Sequence, residues 1–103
     1  MARKRGVLSN PYKGVRGDRY QFMKDHMPEE LAKMDEADET QDYLKEVERR
    51  YIQRSGELYP SCLKECGGTE ELKRTDCGAY LMALERAGRM AWDLAYKDVI
   101  EAV

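Results

Sequence analysis

The sequence predicts an all-α protein: a small helical bundle of four to five helices with a long C-terminal helix and a basic N-terminal arm. Three observations carry that expectation. Apolar residues recur at three- and four-residue spacing through most of the chain. No stretch shows the sustained alternation of a half-buried strand. Valine and isoleucine are too few to build a sheet. With 103 residues the chain has the length of one domain, and at that size only about two thirds of the unfolded surface is buried, so the core is small.

A first short helix is expected over residues 18–27, capped by Asp18, with Tyr20, Met23 and Met27 on one side. Pro28 cannot continue it but suits the first turn of a second helix. There Glu29 and Glu30 meet the favourable end of the helix dipole, and Leu31 and Met34 supply a small apolar face. A third helix is expected from about Asp38 to Arg54, with Tyr43, Leu44, Val47, Tyr51 and Ile52 as its apolar stripe and Glu46–Arg50 as an i, i+4 ion pair. Ser55–Gly56 should loosen the chain, and Pro60 should break or kink it. Leu58, Tyr59, Cys62, Leu63 and Cys66 continue the apolar pattern until Gly67–Gly68 ends it.

Thr69 caps a short turn that starts with Glu70 and Glu71 and ends with Lys73 and Arg74, the charge order a helix dipole prefers. Asp76 caps the last helix, which runs from about Cys77 towards the end of the chain. Its stripe comprises Tyr80, Leu81, Leu84, Ala87, Gly88, Ala91, Leu94 and Ala95, with Gly88 and the alanines leaving a shallow groove for a close neighbouring helix. Trp92, Tyr96 and Ile100 flank that stripe, where they either widen the core or mark an interface.

The net charge of −2 hides a division. Residues 1–19 carry Arg3, Lys4, Arg5, Lys13, Arg16 and Arg19 against Asp18 alone, a local +5, while the remainder carries twelve basic groups against 19 acids. Residues 25–48 hold ten acids and only Lys33 and Lys45. A basic arm, residues 1–17, therefore precedes an acidic helical domain, residues 18–103. The arm either tracks phosphates and releases counterions or folds back on the acids of its own chain. The acidic stretch, with Asp35, Glu36, Asp38, Glu39, Asp42 and Tyr43 at its centre, either occupies a basic groove on a partner or is a solvated helix face. Seven tyrosines against one phenylalanine suit half-wet core edges, contact surfaces, or stacking on bases beside arginine.

Cys62, Cys66 and Cys77 make an odd number, so reduced thiols in a cytoplasmic setting are the simplest account. Nothing gives them and His26 the paired spacing of a zinc site, and no metal or cofactor is expected. His26 has no nucleophile that sequence can place beside it, there is no Gly-rich phosphate loop, and the carboxylates sit in open charged surroundings. The expectation is that the chain is not an enzyme. The Arg16-Gly17-Asp18 tripeptide reads as chance. No secretory leader is expected, because Arg3, Lys4 and Arg5 are followed by Gly6 and Asn10–Pro11. No uncharged run approaches the ~20 residues of a membrane span.

Three segments carry a resemblance to a known family. Tyr43-Leu44-Lys45-Glu46-Val47-Glu48, Gly68-Thr69-Glu70-Glu71-Leu72-Lys73 and the alanine-rich last helix make residues 20–100 similar to the small transposon-encoded TnpV proteins. Where those proteins have a tryptophan at the start of the last helix and a Met-Asn stretch after it, this chain has Tyr80 and Glu85-Arg86-Ala87. Pro60 interrupts a helix that is continuous in the family. The resemblance implies a helical fold and a mobile-element setting, and it brings no catalytic residue.

Two functions follow as expectations. One is a mobile-element accessory protein, from a phage or a transposon, that binds nucleic acid or a nucleoprotein complex, its arm residues Arg3, Lys4, Arg5, Lys13, Arg16 and Arg19 on phosphates and its acids on protein. The other is an anti-CRISPR-type inhibitor that binds a host defence nuclease and blocks its access to nucleic acid. A homodimer through the last helix is compatible with either.

Overall fold

In a computed structural model that describes residues 10–103, every regular element among the described residues is helical. The elements are α1 (Gly14–His26), α2 (Pro28–Glu36), α3 (Thr40–Glu65), α4 (Glu70–Thr75) and α5 (Cys77–Ala95), followed by a π-helical turn at Tyr96–Ile100. No helix among the described residues is long and apolar enough to cross a membrane.

Helix α1 starts four residues before the expected Asp18, because Asn10 organises its entry. The Asn10 carboxamide oxygen accepts from the Tyr12 amide at 3.1 Å, and its nitrogen donates to the Gly17 carbonyl at 2.9 Å. Lys13 is the extended N-cap residue, so Asp18 lies inside the helix, not at its start. The chain before the helix crosses so close to α1 that a Cβ on the buried Gly17 would stand 2.5 Å from the Tyr12 carbonyl oxygen. The Arg16-Gly17-Asp18 tripeptide is thus part of a helix. Pro28 occupies the first turn of α2, as its missing N–H permits. That helix closes on Asp38, whose φ of 61° is left-handed, with the Glu39 amide bonded back to the Met34 carbonyl at 2.9 Å.

The expected interruption of α3 at Ser55–Gly56 and Pro60 does not occur; the helix is continuous over 26 residues. A proline ring crowds the carbonyl four residues earlier, and here that residue is Gly56, which has open space around it and no side chain to resist a small tilt. Ser55 is buried and satisfies its hydroxyl on the Ile52 carbonyl at 2.8 Å. The helix ends as expected at Gly67, with φ of 78° and the Gly68 amide on the Leu63 carbonyl at 2.9 Å. The Thr69 hydroxyl accepts from the Leu72 amide at 3.1 Å, and the Asp76 carboxylate accepts from the Ala79 amide at 3.0 Å, so both expected caps are made.

The chain packs as two compact units. Of the described residues, the first holds those from 10 to Arg50 together with Ile100–Val103, and the second holds Tyr51–Val99. At about 1.5 Å per residue α3 is roughly 39 Å long, more than one core of this size covers, and each half contributes to a different unit. In the first unit Leu44, Val47 and Ile100 are fully buried, with Met23 and Leu31 nearly so. In the second, Cys62, Ala87 and Ala91 form the buried centre, enclosed by Leu58, Tyr59, Leu63, Cys66 and Met90.

Helix α5 turns a different face inward from the one its leucines suggest. Its buried residues are Ala83, Ala87, Ala91 and Ala95, one i, i+4 row of alanines. Leu81, Met82 and Leu94 remain exposed, as does Trp92, which is not part of a widened core, whereas Ile100 is fully buried. Small residues win the inward face because they let the backbones of α3 and α5 approach closely, and Cys62, also small, meets them there.

Replacing Gly17 with alanine should lower stability by about 1–3 kcal/mol, since the chain before α1 must move to admit the methyl group. Urea unfolding of the two proteins measures it.

Candidate interaction surfaces

The six basic residues expected to contact phosphate divide into three groups. Arg3, Lys4 and Arg5 lie outside the described residues. Arg19 belongs to the interior: it is only 5% exposed, and each of its three guanidinium nitrogens donates to an oxygen of its own chain. Nη1 donates to the Ile100 carbonyl at 2.9 Å and to the Ala102 carbonyl at 2.5 Å, while Nε and Nη2 both donate to the Tyr43 hydroxyl, at 3.2 and 3.1 Å. The Phe22 ring lies 5.2 Å from the charge centre. Arg19 therefore does not present its donors at the surface, because a buried cation is tolerated only where its N–H groups find acceptors, and here the Ile100 and Ala102 carbonyls and the Tyr43 hydroxyl supply them. Arg16 pairs with Glu48 at 2.7 Å, both side chains about one third exposed. Lys13 is exposed and makes no side-chain ion pair among the described residues.

The acidic residues also separate by role. The Asp35 carboxylate accepts from the Thr40 hydroxyl and so tethers the α2–α3 turn to the start of α3. Tyr43 is half-buried and its hydroxyl serves Arg19. Glu36, Asp38, Glu39 and Asp42, in contrast, are all exposed, and none makes a side-chain hydrogen bond or ion pair among the described residues. Glu29 and Glu30, in the first turn of α2, are equally exposed. Further along α3, Glu46 pairs with Arg49 at 2.5 Å rather than with Arg50, and that hydrogen bond holds the carboxyl below the usual carboxylate range. Tyr20 is shifted upward from 10.0, first by burial, then by the negative charge of Asp35 and by Tyr12.

The second unit offers other features. Tyr51 stacks on Trp92 at 4.8 Å between ring centroids and meets Tyr96 edge-on at 6.3 Å. Beside them Arg54 bridges Asp98 at 3.0 Å and Glu57 at 3.4 Å, and this raises the arginine further above its ordinary value. An open groove of about 380 Å³ is lined by Cys66, Arg86, Arg89, Met90, Asp93 and Leu94. A smaller one of about 190 Å³, lined by Leu72, Ala79, Met82 and Ala83, shares Cys66 and Arg86 with it. All three thiols are free; Cys62 is buried, Cys66 half-buried and Cys77 exposed. Among the described residues no three His, Cys, Asp or Glu side chains converge as a metal site would require. His26 is exposed and rests its ring on Phe22 at 4.5 Å.

Sequence reasoning missed two of these features. The buried role of Arg19 has no local signal, since its partners lie 24, 81 and 83 residues away. The Tyr51–Trp92 contact joins two helices whose register the sequence does not state. Comparison with protein-family models, with curated proteins and with solved structures finds no match.

Arg19→Met should destabilise the chain by about 2–4 kcal/mol, because the carbonyls of Ile100 and Ala102 and the Tyr43 hydroxyl lose a charged donor. Arg19→Lys should fall between that variant and the parent, keeping the charge without the planar fork; guanidinium unfolding ranks the three. Because Tyr20 holds its proton more tightly when folded, it contributes stability below the ordinary tyrosine value, and this is lost as pH rises through the higher folded value. Alkaline unfolding followed at pH 9–12 (about the range over which tyrosines titrate) should thus show a smaller pH dependence for Tyr20→Phe than for the parent.

Proposed function

We propose that this chain is a non-catalytic accessory protein of a mobile element that binds a nucleoprotein complex, docking through the acids that follow α2 onto a basic protein surface. The observation that supports this most directly is the set Glu36, Asp38, Glu39 and Asp42: four exposed carboxylates within seven positions, none with a partner among the described residues. Carboxylates left at that density repel one another, and a cationic partner relieves the repulsion while steering encounter. The same surface disfavours direct contact with DNA or RNA phosphates.

Of the arm residues, Arg16 and Arg19 are engaged internally, which moves the weight of the reading from nucleic acid towards protein. Arg3, Lys4, Arg5 and Lys13 remain as the groups that reach phosphate, so the protein bridges a basic protein surface and its bound nucleic acid. The mobile-element setting rests on the TnpV resemblance alone.

A second reading uses the same carboxylates. An anti-CRISPR-type inhibitor would present them in the channel where a defence nuclease holds its nucleic acid, and would block access to it.

Affinity capture from host lysate, with and without nuclease, tests the proposal. We expect a nucleic-acid-binding protein to be retained after nuclease treatment. A variant carrying Glu36→Lys, Glu39→Lys and Asp42→Lys with Asp38→Asn (asparagine tolerates the left-handed backbone at that position) should lose it, with helical content unchanged by circular dichroism. Capture of nucleic acid alone, or retention by the variant, overturns the proposal. Inhibition of nuclease cleavage by the captured complex selects the second reading. Neutralising Arg3, Lys4 and Arg5 should flatten the salt dependence of any residual nucleic-acid binding by roughly one unit of slope per charge removed.

A further inference from the structure

Helix α5 carries an outward face on which large apolar side chains stay exposed among the described residues. Leu81 is 58% exposed and Trp92 is 41% exposed. They stand eleven positions apart, almost three whole turns, which puts them on one face about 16 Å apart. Gly88 lies along the same face between them, one turn before Trp92. A Cβ built at Gly88 would meet no atom within 4 Å, so nothing in this chain requires a glycine in the middle of a 19-residue helix, where it is unfavourable compared with alanine. The Trp92 ring is held in place from behind by Tyr51 at 4.8 Å. Two large apolar groups therefore flank a gap at Gly88, the one position between them that has no side chain.

We infer that this face of α5 is covered by a second copy of the chain, packed antiparallel about a two-fold axis near residues 86–87. The face is complementary to itself. An axis midway between positions 81 and 92 sets Leu81 of one copy against Trp92 of the partner subunit, and the same in reverse. It also puts Glu85 opposite the partner's Gly88, beside the partner's Arg89. In the single chain Glu85 and Arg89 make only a loose pair at 3.5 Å, with both side chains more than 70% exposed. The antiparallel arrangement gives each carboxylate a second guanidinium, and each guanidinium a second carboxylate. A parallel arrangement would instead set like charges at the same height on the two helices and align the two helix dipoles. The glycine allows the backbones to cross closely, and the apolar pair on either side closes the seam. This inference stands apart from the acidic docking surface, which lies in the other unit.

The test is the mass of the full chain in solution, by sedimentation equilibrium under reductant so that the exposed Cys77 forms no disulfide. Concentrations from about 1 µM to about 500 µM span the range in which a small interface assembles. A reversible dimer is expected. Gly88→Leu fills the crossing point, while the open space around it leaves the single chain undisturbed, so this variant should remain monomeric with its thermal transition kept. Glu85→Arg should weaken the dimer at least tenfold, and adding Arg89→Glu should restore it, because the swapped charges again meet across the axis. A parent that stays monomeric throughout overturns the inference, as does a dimer that Gly88→Leu leaves intact. Failure of the charge swap to restore association overturns the antiparallel arrangement.

Discussion

Taking the Arg19 guanidinium out of water is tolerable only because the chain brings oxygen atoms to its N–H groups. One of those oxygens, the carbonyl of Ile100, belongs to the end of the last helix, where carbonyls lack partners of their own, and a second, that of Ala102, lies two residues beyond it. The third is the Tyr43 hydroxyl in the first half of α3. A single side chain on α1 thus satisfies a helix terminus more than eighty residues away and fastens Ile100–Val103 into the first unit beside Leu44, Val47 and Met23. The positive charge also lies at the negative end of a helix, where it is favoured.

That constraint changes what the charge pattern means. By count, residues 1–19 form a basic arm, but charge in a sequence is not charge on a surface. Arg19 neutralises carbonyl dipoles inside the molecule, and Arg16 is matched by Glu48. The acids experience no equivalent withdrawal: Asp35 is used by Thr40, while Glu36, Asp38, Glu39 and Asp42 face water. The described part of the first unit is consequently more acidic at its surface than its composition states, and the proposed docking onto a basic partner follows from this difference.

Local signals were legible wherever the physics is local. Thr69 and Asp76 cap because each side chain reaches an amide three residues on, Pro28 starts a helix because its first-turn N–H is not needed, and Gly67 ends one because it takes the left-handed conformation. Asp18 misled because the same residue type caps a helix only when the chain before it is extended, and Asn10 had already turned the chain at Lys13. Pro60 misled because its effect depends on the residue four places earlier, and Gly56 accommodates it.

The helical class and most of the helix ends are written in the residues themselves, because they arise from interactions spanning four residues or fewer, and the division of basic from acidic segments is written there as composition. Which face of α5 turns inward, where the row of alanines displaced the leucines, and whether Arg19 is surface or core are matters of packing. Both outcomes depend on how closely two distant segments approach. Backbone separation and the position of far-off carbonyls are properties of packing, and no short stretch of residues encodes them.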